Sequence, residues 1–113
     1  MLSYSVRILI PLEYNPDDSG HRRGIPFAIR DAIIDKLIGR FGGVTLSECR
    51  GKWVDARGRE IEDHHTAVDI DGLPREDVDW LLQRAPTFAN RLQQDELFVR
   101  VTESTTHFIR RSV

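Results

Sequence analysis

Along the first stretch of the chain, Tyr4, Val6, Ile8, Ile10 and Leu12 alternate with Ser3, Ser5, Arg7, Leu9, Pro11 and Glu13. This period-two pattern predicts a strand with one buried face. Pro11 has no amide hydrogen to give to a ladder, so full pairing is expected to fail near it. The segment from Asn15 to Gly24 is rich in Pro, Gly, Asp and Asn, which is turn chemistry, and forms the longest loop. Pro26 suits the first position of a helix. Phe27, Ile29, Ile33, Ile34, Leu37, Ile38 and Phe41 then recur at helical spacing, until Gly42-Gly43 stops the pattern. Arg30 falls inside that stripe and is expected to snorkel to solvent.

A second strand starts at Val44-Thr45-Leu46 and continues through Cys49, Gly51 and Trp53, with Gly51 marking a bulge or a close backbone approach. Asp55-Ala56-Arg57-Gly58 is turn-forming and folds the chain back as a hairpin into a third strand, Glu60 to Ile70. Gly72 and Pro74 end that hairpin. Val78, Leu81, Leu82, Ala85, Phe88, Ala89 and Leu92 mark a second helix, in which Pro86 is expected to cause a kink or a break. Leu97, Val99 and Val101, alternating with Phe98, Arg100 and Thr102, predict a fourth strand.

Strand, helix, strand, strand, helix, strand is the order of the ferredoxin-like split βαβ arrangement, an α+β fold with a four-stranded antiparallel sheet and two helices on one face. A single domain is expected over residues 1–103, with 104–113 as a C-terminal tail or short extra strand. The helix side should take Val6, Ile8, Ile10, Val68, Ile70, Leu97, Val99 and Val101. Arg7, Leu9, Trp53, His65, Ala67, Phe98 and Arg100 take the opposite phase. Leu9, Trp53 and Phe98 make that second face too apolar to meet only water, so it is expected to be covered.

Composition narrows the classes. At 113 residues, 40% hydrophobic and 30% charged, the chain is one globular domain rather than a disordered segment. No apolar run approaches the roughly 20 residues a bilayer crossing needs, and the amino terminus lacks a basic and apolar leader, so a cytoplasmic location is expected. The lone Cys49 fits that location and builds neither a disulfide nor a zinc framework, and no cofactor or metal is expected. A net charge of −2 leaves nucleic acid an unfavoured partner, and the acidic third strand lacks the aromatic and basic signature of RNA-binding plaits.

Phe41-Gly42-Gly43-Val44-Thr45, Gly51-Lys52-Trp53, Gly58, Glu62-Asp63 and Gln94 form an F-x-G-x-T, G-x-W, Gly and acidic pattern over residues 41 to 101. In this the chain resembles a group of small bacterial ferredoxin-like proteins of unknown function. The resemblance implies the same scaffold and assigns no particular activity. The long first loop and His64-His65 depart from that group.

Two candidate sites follow. His64 and His65 are the candidates for acid or base catalysis. Adjacent strand residues point to opposite faces, and His65 shares its phase with Trp53. At the sheet end where the first and third strands hand over to their helices, Asp17, Asp18, His21, Arg22 and Arg23 are expected to meet Asp71 and Arg75. The favoured function is an interaction module that buries Leu9, Trp53, His65, Phe98 and Arg100 against a copy of itself, as a dimer, or against another protein. The alternative is a small enzyme resembling dimeric α/β-barrel proteins, with a histidine acid or base in a pocket.

Overall fold

A computed structural model describes residues 2–112. Six elements follow one another: β1 (Ser3–Pro11), α1 (Phe27–Phe41), β2 (Thr45–Val54), β3 (Glu60–Leu73), α2 (Arg75–Arg91) and β4 (Phe98–Ser104). They form one antiparallel sheet in the order β2-β3-β1-β4 with two helices, the ferredoxin-like α+β fold. Residues 105–112 run on without regular structure.

Even-numbered positions of β1 carry the core. Val6, Ile8 and Ile10 face Ile70, Val68 and Thr66 across the ladder, and Ile33, Leu37, Val78, Leu81, Phe88 and Leu92 from the helices close over them. Leu97, Val99 and Val101 join from the β4 side, partly buried. β1 ends at Pro11, where the donor runs out. Gly42 caps α1 at a φ of 83°, a left-handed conformation that a β-carbon resists, and its amide closes on the Ile38 carbonyl.

Three expectations change. Of the kink or break expected at Pro86, the break does not occur, and α2 runs through that residue as one helix. The carbonyl that Pro86 leaves without an amide partner belongs to Leu82, an exposed position where water can satisfy it. Gly51 makes neither a bulge nor a close approach: it pairs regularly with Asp63, and a β-carbon there would meet nothing within 4 Å. The register shift lies instead in the β1–β3 ladder, between Tyr4 and Val6, where Gly72 takes a φ of 69° and lets β3 carry an extra residue. Pro26, expected as the first helical residue, sits one place earlier as the cap.

The β2–β3 ladder continues beyond the end of β1, from Cys49↔His65 to Val54↔Glu60, as a projecting two-stranded arm. It stretches the molecule to 59 × 25 × 23 Å. The radius of gyration, 16.2 Å, exceeds the ~13 Å of a compact chain this size.

Candidate functional site

The open face is a set of cross-strand rows. Ser47, Ala67, Leu9 and Phe98 form the central row, flanked by Cys49, His65 and Pro11 on one side and by Thr45, Asp69, Arg7 and Arg100 on the other. Phe98 is 48% exposed, whereas Ala67 is fully buried beneath its neighbours. Trp53, expected in the same patch, lies on the arm opposite Ile61 and is 42% exposed. Six strand residues separate it from Ser47, about 20 Å, so it forms a second apolar spot rather than part of the first.

In the polar row, Arg7 grips Asp69 with Nε at 2.8 Å and Nη2 at 2.9 Å, a two-pronged pairing that holds the Asp69 carboxyl below the usual carboxylate range. Arg100, directly across from Arg7, finds no carboxylate within 4 Å among the described residues. It faces outward beside a like charge.

The histidines diverge, as alternation requires. His64 Nδ1 lies 3.0 Å from Glu13 Oε1, with its Nε2 3.9 Å from Glu62. His65 sits half-buried on the open-face side, and desolvation pushes its pKa below the ordinary imidazole value, with Arg22 and His64 adding to the shift and Asp63 opposing it. Its neutral ring lies opposite Cys49 beside a cavity of about 380 Å³ that also touches Leu12, Glu48, Arg50 and His64. No cluster of three or more metal-ligating side chains occurs among the described residues.

The second expected site does not assemble. β1 and β3 are antiparallel, pairing Tyr4 with Leu73 and Pro11 with His65, so their outgoing ends lie at opposite ends of the sheet. Arg75 packs over the Tyr4 ring and bonds Asp79, while Asp18, His21, Arg22 and Arg23 sit with the arm. There the loop is itself a small hairpin, closed by Tyr14–Arg23 and Asp17–His21 backbone bonds. Asp17 Oδ1 accepts from both the amide and hydroxyl of Ser19 and from the His21 amide, which keeps that carboxyl ionised to low pH. Arg23 stacks on Tyr14.

Arg22 is the strut of this region. Its Nε donates to the Tyr14 carbonyl at 2.9 Å, and its Nη1 donates to the Glu62 carbonyl at 2.7 Å and to Asp63 Oδ1 at 2.6 Å. Arg57 and Arg59, not singled out in the sequence, reach from the arm turn to the backbone and carboxylate of Asp18. The alternation of Asp55, Arg57 and Arg59 opposite Asp17-Asp18 was the available signal.

At the other end of the sheet, Phe41, Val44, Asp69, Asp71, Leu73 and Phe108 line a recess of about 310 Å³, into which the C-terminal tail brings Phe108. No helix of the described residues is long and apolar enough to cross a membrane.

No protein-family model and no curated protein matches the chain. Two solved structures share its fold. A phage SAM lyase in complex with S-methyl-5'-thioadenosine is 23% identical over 89% of this chain and 81% of that one, with a TM-score of 0.61. A phage SAM lyase in the apo state is 20% identical over 90% and 81%, with a TM-score of 0.62. At this identity the likeness establishes the fold.

Proposed function

We propose that this chain is a cytoplasmic interaction module that works as a homodimer, burying its open sheet face against a second copy. The observation that carries this reading is the central row, in which Leu9 and Phe98 stand side by side on a face the helices do not cover. Size decides how much surface takes part. Four strands at ~4.8 Å spacing and seven residues at ~3.3 Å project only about 440 Å², against the ~800 Å² each partner gives to a standard interface. The arm and Trp53 therefore have to join the contact. Native mass spectrometry tests this: the expected result is a dimer that becomes monomeric on Phe98→Glu and dissociates at least tenfold more readily on Trp53→Ala. A monomer at micromolar concentration overturns it.

A second reading, a small enzyme acting on SAM, is favoured by the shared fold and by the 310 Å³ recess. A sulfonium centre is a cation, and its departing thioether is neutral. Such chemistry asks for aromatic faces and carboxylates more than for a proton donor. Phe41, Phe108 and Asp71 supply those groups. A carbon–sulfur bond breaks with its electron pair passing to sulfur, releasing S-methyl-5'-thioadenosine. The remaining fragment closes on its own carboxylate as a lactone, or gives a proton to the Asp71 carboxylate and becomes an alkene. Incubation with SAM and chromatography for S-methyl-5'-thioadenosine is the test. Product formation that Asp71→Asn abolishes supports the recess, whereas loss on His65→Gln instead moves the chemistry to the arm. No product from the native protein removes this reading.

A further inference from the structure

Away from the open face, a cleft of about 530 Å³ runs between the two helices, lined by Lys36, Arg40, Trp80, Arg84, Thr87 and Phe88. Lys36 and Arg40 come from successive turns of α1, and Trp80, Arg84 and Thr87 from successive turns of α2, so the helical repeat stacks each set along one wall. We propose that this cleft binds the phosphate group of a small phosphomonoester.

Charge is the first ground. Three cations meet here in a protein whose net charge is −2, and among the described residues only Asp77, 3.0 Å from Arg40, answers any of them. Lys36 and Arg84 have no carboxylate within 4 Å among those residues. The uncompensated balance is close to two positive charges, the complement of a phosphomonoester dianion. Orientation is the second ground. The guanidinium carbons of Arg40 and Arg84 lie 5.0 and 5.6 Å from the Trp80 ring centroid, and Phe41 holds that indole edge-on at 5.7 Å and 88°. Stacking fixes two long side chains without itself using N–H donors, so those of Arg84, and those that Arg40 does not give to Asp77, stay free for oxygen acceptors. Thr87 adds a hydroxyl at the same wall. The volume, larger than a lone phosphate needs, falls in the range of small-molecule sites. Three cations in one cleft do not make the extended basic track that a nucleic acid backbone follows.

Trp80 reports on its own site, because Trp53 is the other tryptophan and Trp53→Phe silences it. Emission of that variant is titrated with ribose 5-phosphate, inorganic phosphate and ribose at constant ionic strength. The expected result is a saturable change with both phosphates at submillimolar concentration, none with ribose, and at least tenfold weaker binding in Arg84→Gln and Lys36→Gln. Circular dichroism verifies that both variants fold. A response to inorganic phosphate but not ribose 5-phosphate overturns the small-molecule assignment. No saturable response, or one that both substitutions leave unchanged, overturns the site. None of these outcomes depends on the oligomeric state or on SAM turnover.

Discussion

Replacing Arg22 by alanine takes away one side chain and three hydrogen bonds, two of them to backbone carbonyls that lie eight and forty residues away in sequence. The Arg22 side chain is 13% exposed and that of its partner Asp63 23%, so water replaces the lost donors only in part. A hydrogen bond from a charged donor contributes about 1.5–3 kcal/mol. Three bonds on one side chain share its ordering cost, and the pair is not fully buried, which discounts the sum. The expected loss is about 2–4 kcal/mol, roughly an 8–17 °C fall in melting temperature for a domain of this size. Urea denaturation measures the global part. Hydrogen exchange measures the local part, with the amides of Leu12, Tyr14 and Ile25, all bonded within or against this lobe, expected to lose protection first. Arg22→Lys should recover less than half of the loss, since an ammonium cannot hold two carbonyls and a carboxylate in one planar fork. A loss below about 0.5 kcal/mol with unchanged exchange at those amides would refute the role of Arg22 as the strut between loop and arm.

Three further outcomes are expected. Phe88→Ala, which empties a site only 1% exposed between the helices and the sheet, should cost about 3–5 kcal/mol by denaturant titration; a cost under 1 kcal/mol would mean that the core closes over the gap. His65 has a folded pKa below its unfolded value of 6.5, so as pH falls through 6.5 the unfolded chain takes up the proton first and stability declines. His65→Gln should flatten that decline between about pH 7 and 5, and an unchanged profile would show that the other histidines cause it. Gly72→Ala, at a φ of 69°, should lose about 1–2 kcal/mol even though its nearest foreign atom, on Phe108, lies at a comfortable 3.6 Å; a neutral result would place the bulge's conformation within easy reach of other residues.

Element types and the inward phase of β1, β3 and β4 were legible in the sequence because they depend on local repeats: Val6, Ile8 and Ile10 at period two, and Ile33, Ile34 and Leu37 at helical spacing. The same alternation put His64 and His65 on opposite faces and paired Leu9 with Phe98 on the open one. What lay beyond the sequence were distances between elements. Which strand ends are neighbours depends on strand direction in the assembled sheet, and the antiparallel β1–β3 ladder carried Arg22 and Arg75 to opposite ends although both flank a strand and a helix. How far Trp53 stands from Leu9 depends on the length by which the β2–β3 hairpin outruns β1, a property of register that composition does not encode. The cleft that gathers Lys36, Arg40 and Arg84 around Trp80 likewise exists only once two helices, far apart along the chain, pack side by side on one sheet.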